Sequence, residues 1–228
     1  MSPAGGSEGR LPDGEEWRAL AVGRGSAFML PEWFEASLEH YAEGSPEVVV
    51  DRAPDGSLRG VLPLLRRGRG LRFAGAALGD SFGPVATKED EDRVAVATAE
   101  LLGRRDYLVL DHVERGASWP LALGAAARGR LLRASTRTDV MPAIDLDGLD
   151  WEGFLAGCSR NLRSQVRSKE RRLQREHDLR YRRTRDEAEL DRDMSTFFRL
   201  HDERWQGRGG SSSSTTRSRA FHRDVAAA

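Results

Sequence analysis

The chain has 228 residues, which is enough for one large domain or two small ones. Hydrophobic residues make up 39% and charged residues 32%, so the composition excludes a generally disordered chain although charge is abundant. The 36 basic residues balance the 36 acidic ones, and the single cysteine, Cys158, excludes an intrachain disulfide and a cysteine-rich zinc site.

The first residues, MSPAGGSEGRLPDG, are rich in Gly, Pro and Ser, and we predict disorder over residues 1–14. They lack the apolar core of a signal peptide. No apolar run in the sequence approaches the length of a membrane span. We therefore expect a cytoplasmic location.

Helices and strands are predicted to alternate through residues 31–147. Three kinds of signal predict the individual elements: apolar residues at helical spacing, residues typical of turns, and acidic or basic residues at helix ends. They are a helix over 30–41, two strands within 46–67 around a Pro-Asp-Gly turn, a short strand followed by a loop over 76–84, a helix over 89–105, a buried strand over 106–113, a helix over 119–132 and a strand over 138–146. This alternation predicts a mixed α/β layer with helices packed on a sheet.

Two long helices are predicted after Asp150. The first has one apolar face and one arginine face at 100° per residue. The apolar face is formed by Leu155, Cys158, Leu162, Val166 and Leu173, and the opposite face by Arg160, Arg163, Arg167 and Arg171. Eight of the 23 residues from 158 to 180 are Arg or Lys and three are Asp or Glu, so this helix concentrates positive charge in a neutral chain.

The second helix opens with Thr184 and Glu187 at the spacing of a capping box. Its apolar stripe, which we expect to stay partly exposed, is formed by Leu190, Met194, Phe197, Phe198 and Trp205, with His201 in its middle. A flexible loop over 207–216 and the start of another helix over 217–228 are predicted to follow.

Three interpretations of the arginine face remain open. It is a solvated face of an arginine-rich protein, or it binds a phosphate or carboxylate through bidentate guanidinium groups, or it contacts nucleic acid over the helix 158–176. Overall neutrality and the absence of a recognisable nucleic-acid-reading motif count against the third interpretation.

His201 has two interpretations, as a core histidine and as a general base near a reacting amine. Asp80 is similarly either a turn residue or a site residue. The five histidines are scattered in the sequence without a paired spacing, and we predict no metal site.

Several short motifs of this sequence resemble those of a known family. The resemblance rests on four motifs in the C-terminal part: S-R-N-x-R from residue 159, R-R-L from residue 171, L-H-x-x-R-W (Leu200, His201, Arg204 and Trp205) and the pair Phe221-His222. In this order they resemble the GNAT-like acyltransferase domain of CelD-type proteins of cellulose or exopolysaccharide synthesis. FMLPEWFEASLEHY, DGSLRGVLPLL and FAGAALGDSFGPV resemble the first half of such proteins, which is similar to the tandem GNAT arrangement of FemAB peptidyltransferases.

The resemblance, which covers residues 15–228, implies an α/β fold with a GNAT-like mixed sheet flanked by helices over 15–149. It implies the helical start of a second, truncated GNAT-like domain over 150–228. The strands expected after residue 228 are missing, so we expect a fragment, and whether it is active alone is left open.

The implied activity is acyl transfer from acetyl-CoA or another acyl-CoA, or from aminoacyl-tRNA in the FemAB branch, to an amine or hydroxyl of a small molecule or cell-envelope precursor. No metal is implied, and the oligomeric state is left open. The candidate catalytic residue is His201. The candidate binding residues are Asp80, Arg160, Asn161, Arg163, Arg167, Arg204, Trp205 and His222.

Overall fold

The computed structural model of the chain describes residues 11–41, 44–128, 135–142, 144, 147–211 and 215–228. The helices described are α1 (Gly14–Arg24), α2 (Pro31–Tyr41), α3 (Glu91–Leu101), α4 (Trp119–Ala126), α5 (Trp151–Gly157), α6 (Arg160–Glu176), α7 (Glu187–Trp205) and α8 (Thr216–Ala227). The strands described are β1 (Ser45–Arg52), β2 (Leu58–Arg67), β3 (Gly70–Phe73), β4 (Val85–Ala86) and β5 (Tyr107–Val109). The predicted α/β class is therefore confirmed.

The strands form one mixed sheet in the order β1-β2-β3-β5, and β4 also pairs with β2. β1, β3 and β4 are antiparallel to β2, whereas β3 and β5 are parallel. The predicted hairpin is confirmed, with Val50 opposite Val61 in its register. Asp55 fixes the turn, because its carboxylate accepts hydrogen bonds from the backbone N–H and hydroxyl of Ser57 at 3.0 and 2.7 Å.

The main core lies against this sheet, and β2 is its central strand because residues 60–65 are all buried. Helices α1 and α3 pack on the sheet. Trp17 of α1 is 2% exposed, and its indole N–H donates to the carbonyl of Met29 at 2.9 Å. Full burial of a large apolar side chain contributes about 1.5–3 kcal/mol, so this core accounts for much of the stability.

Helix α1 was not predicted from the sequence. Its N-cap is Asp13, whose carboxylate accepts from the N–H groups of Glu15 and Glu16, and it ends at Gly25 in the left-handed conformation. Disorder was predicted over residues 1–14, but Asp13 and Gly14 belong to the start of this helix. Residues 1–10 lie outside the described residues.

Two predicted strands need correction. The strand predicted as buried over 106–113 is limited to Tyr107–Val109, with Tyr107 60% exposed and Val109 39% exposed. It is short because it pairs only with the four-residue β3. Residues 138–142, predicted as part of a strand, are not in one, and residues 143, 145 and 146 lie outside the described residues. The helix predicted over 119–132 is described as α4, and its residues 129–132 also lie outside the description.

The helix predicted across residues 155–173 is two helices. The chain is extended at Cys158, and the hydroxyl of Ser159 accepts from the N–H of Leu162 at 3.2 Å to cap α6. No residue of α6 is buried, and Leu162 and Leu173 of the expected dry face are 46% and 43% exposed. The apolar spacing is therefore helical, but it does not mark a core.

The N-cap of α7 is Asp186 rather than Thr184, since the Asp186 carboxylate accepts from the N–H of Glu189 at 2.8 Å. The expected partial exposure of the α7 stripe is confirmed: Phe198 is 3% exposed and Phe197 is 53% exposed. The last predicted helix is confirmed as α8, and residues 212–214 of the predicted loop lie outside the description.

Two compact units divide the chain. The larger comprises residues 1–134 and 186–228, and the smaller comprises residues 135–185. Contacts thus group α7 and α8 with the sheet, whereas the sequence placed a boundary at residue 149; the assignment of two GNAT-like domains remains a proposal. Among the described residues, no helix has both the length and the apolarity to cross a bilayer.

Candidate active site

A cavity of about 670 Å³ lies in the larger unit, beside the end of α2 and the start of α8. Its wall combines apolar and polar groups, which is the usual make-up of a small-molecule site. The lining residues are Tyr41, Ala77, Leu78, Thr215, Arg217, Ser218 and His222.

Helix α8 reaches this position because Phe221 anchors it to α2. Phe221 is 0% exposed, and its ring meets those of Trp33 and Tyr41 edge-to-face at centroid distances of 4.9 and 5.5 Å. His222 follows Phe221 directly and is carried to the cavity wall. The aromatic anchor is therefore what positions the one predicted site residue that lines this cavity.

Burial lowers the pKa of His222 below its ordinary value, because desolvation disfavours the charged imidazolium. The imidazole is therefore neutral at neutral pH. A neutral imidazole at a cavity wall has a free nitrogen lone pair, which is the chemical requirement for accepting a proton from a bound amine or hydroxyl.

Positive potential comes from the first turn of α8. The guanidinium of Arg217 lies 5.7 Å from the centre of the Tyr41 ring, a cation–π distance. The Thr215 hydroxyl caps the helix by accepting from the N–H of Ser218 at 3.1 Å. Arg217 and the helix N-terminus both favour an anionic group at this end of the cavity, while Tyr41 and Leu78 offer apolar surface.

Polar contacts hold α8 on its other side, against α7. Arg219 donates to the Asp202 carboxylate at 2.5 Å, and Arg223 donates to the Ser195 hydroxyl at 3.2 Å. Both guanidinium groups also lie over the Phe198 ring, at 5.4 and 5.7 Å. The cavity wall is thus fixed by contacts to α2 and to α7.

His201, the predicted catalytic residue, is part of an aromatic row along α7. Its ring lies 5.9 Å from Phe197 and 6.3 Å from Trp205, and its Nδ1 is buried without a hydrogen-bond partner in the described part of the chain. Trp205 lines a second, shallower hollow of about 700 Å³ together with Arg199, Asp202 and Arg219. His201 is not among the residues that line either hollow.

Four predicted binding residues lie on α6, in the smaller unit. Arg163 donates to the carbonyls of Ala156 and Cys158 at 3.0 and 2.5 Å and so caps the end of α5. Arg167 pairs with Glu152 at 3.2 Å.

The other two, Arg160 and Asn161, are exposed, and the Asn161 side chain accepts from Gln165. In the larger unit, Asp80 and Arg204 are exposed as well. Of the predicted residues in the larger unit, His222 lines the cavity, and Asp80, His201, Arg204 and Trp205 do not.

Sequence reasoning missed Tyr41 and Arg217. Tyr41 enters the sequence analysis only as the end of the helix over 30–41, and Arg217 is one of 34 arginines without a distinguishing motif. Their proximity depends on the packing of α8 against α2, across more than 170 residues of chain. The cap at Thr215 followed by Arg217 is the local signal that was available.

Residues 160–228 match the family model described as "Acetyltransferase (GNAT) domain". This segment includes α6, α7 and α8, and with them Arg217 and His222 of the cavity. The chain has no significant match among curated proteins or among solved structures. Residues 160–228, less than a third of the chain, therefore carry the signature of a GNAT acetyltransferase domain, and this supports a place for the protein in the GNAT superfamily.

Proposed function

We propose that the protein is an N-acyltransferase that moves an acyl group from acetyl-CoA or another acyl-CoA to an amine or hydroxyl. The observation that carries the proposal is the GNAT acetyltransferase match over residues 160–228. The cavity beside α8 supports it, since this matched segment supplies the neutral His222 and the cationic Arg217.

In such a transfer the nitrogen or oxygen of the acceptor attacks the thioester carbonyl carbon. A C–N or C–O bond forms, the C–S bond breaks and the CoA thiolate leaves. The acceptor must lose a proton, and we assign its uptake to the His222 imidazole, which burial keeps neutral. Arg217 and the start of α8 would hold an anionic group of a substrate, and Tyr41 and Leu78 an apolar part.

We further propose that the acceptor is a small molecule or a cell-envelope or polysaccharide precursor, following the CelD-type resemblance. Acyl-CoA is a cytoplasmic metabolite, and the cytoplasm is therefore the proposed location. The FemAB-like alternative, with an aminoacyl-tRNA donor, requires a chain that binds RNA.

A nucleic-acid-binding role remains the second candidate, and one observation favours it: α6 has no buried residue, so its basic side chains are accessible. Arg163 and Arg167 already have partners within the smaller unit, which reduces the charge available to phosphates. A salt titration decides, because each phosphate contact should give a slope of about −0.9 in log affinity against log salt. Absence of binding at low salt would remove both nucleic-acid alternatives.

The acyltransferase proposal is tested by following thiol release from acetyl-CoA in the presence of a panel of amines and hydroxyl compounds. We expect acceptor-dependent release, and His222→Gln should lower kcat about 10²–10⁴-fold, the usual contribution of a general base. His177→Gln, at an exposed position after α6, is the control. His201→Gln tests the sequence-based candidate: a loss in that variant with full activity in His222→Gln would move the base to α7.

A further inference from the structure

The last turn of α2 and the C-terminal half of α8 bring together three ligand-type side chains that do not line the cavity. In the part of the chain that the structure describes, Glu39, His40 and Asp224 form one group whose ligand atoms all lie within 4.8 Å of one another. The closest pair is His40 Nε2 and Asp224 Oδ2, at 2.5 Å.

We propose that Glu39, His40 and Asp224 form a binding site for a divalent transition-metal ion of the Zn²⁺ class. The donor set of one imidazole nitrogen and two carboxylates suits this class, whereas Mg²⁺ and Ca²⁺ prefer oxygen donors alone. Three protein ligands leave a fourth tetrahedral position for water.

The geometry needs only small side-chain movements. Bonds of about 2.0–2.2 Å to a tetrahedral ion place its ligand atoms about 3.3 Å apart. The 2.5 Å His40–Asp224 contact therefore opens by less than about 1 Å, and Glu39 closes in. Glu39 is exposed and the Asp224 side chain is 51% exposed, so both have room to rotate and an ion has a path from solvent.

The scaffold beneath the ligands is well packed. The His40 side chain is only 14% exposed, and α2 and α8 are joined by the buried Phe221 one turn before Asp224. His40 Nε2 and Asp224 now share a hydrogen bond. A metal ion replaces the proton between Nε2 and the carboxylate when the imidazole carries its hydrogen on Nδ1. A bound ion would then link α8, inside the GNAT-matching segment, to α2 outside it.

The test is a calorimetric titration of Zn²⁺ into the whole 228-residue chain after chelator treatment. We expect one ion per chain, with Asp224→Asn and Glu39→Gln each lowering the affinity by about tenfold or more. The matched control is Glu35→Gln, an exposed carboxylate one turn earlier on the same helix, which should leave the affinity unchanged. Zn²⁺ should also raise the Tm of the unsubstituted chain but not that of Asp224→Asn.

Three results would overturn the site: no saturable Zn²⁺ binding, equal binding of Mg²⁺, or Zn²⁺ binding that Glu39→Gln leaves unchanged. The last result would mean that Glu39 is not a ligand and that the ion is held by other groups. If Asp224→Asn disturbs folding, as seen by circular dichroism, the exposed Glu39→Gln decides the question. None of these outcomes depends on acyl transfer.

Discussion

Replacement of Phe221 by Ala tests how α8 is held. The ring is 0% exposed and meets two aromatic rings edge-to-face, at 4.9 and 5.5 Å. Phe-to-Ala changes at buried sites cost about 3–5 kcal/mol, from lost transfer energy and from the cavity left behind. Because whole domains are stable by only about 5–15 kcal/mol, this loss is large enough to release α8 before the sheet unfolds.

The matched control is Phe197→Ala on α7, whose side chain is 53% exposed and has less contact to lose. We expect it to cost about 1 kcal/mol, near the average for single substitutions. Urea unfolding followed by circular dichroism gives both free energies, and amide exchange over residues 216–227 reports release of α8. The reasoning is refuted if the two variants differ by less than about 1 kcal/mol and α8 exchanges as slowly as in the unsubstituted chain.

Three further predictions concern single residues. Arg163→Gln should cost about 1 kcal/mol, since it removes a donor to two carbonyls at the end of α5, and faster amide exchange in that helix would show it. The pKa of His222 is lowered in the folded chain, so the unfolded chain binds more protons, and the free energy of unfolding should fall as pH drops below about 6.5. Urea titrations at pH 5 and 7.5 measure this fall, which should be smaller in His222→Gln than in the unsubstituted chain. Gly75→Ala should destabilise more than Gly116→Ala, because both have positive φ but an added Cβ at Gly75 would lie 2.4 Å from the Ser37 hydroxyl whereas the space at Gly116 is open; equal Tm values would contradict this.

Local patterns in the sequence predicted the elements that local chemistry determines. The Pro54-Asp55-Gly56 turn lies between two strands, and acidic residues stand in the first turn of α3. The apolar spacing of α7 was also sufficient to predict a helix with one stripe. In these cases the residues that decide the structure are within a few positions of one another.

The rest depends on packing between distant parts of the chain. Helical spacing continues through Cys158 and Ser159 and predicted one helix, although Gly157 and the capping residue type Ser159 were local signals of the break. Leu162 has the spacing of a buried residue but is exposed, because spacing defines a face and not what covers it. The cavity at His222 and the His40–Asp224 pair, 184 positions apart, required the contact of α8 with α2.

The larger unit is built from two separate stretches of the chain, residues 1–134 and 186–228. Peptide-bond cleavage in the exposed segment between α6 and α7 would remove the covalent link between α8 and α2, whose contact would then rest on noncovalent packing such as the Phe221 anchor and the His40–Asp224 pair. The covalent connection now supplies a high effective concentration for that contact. After cleavage, the contact would become a bimolecular equilibrium, and a split form of the protein could be reassembled from its two pieces at sufficient concentration.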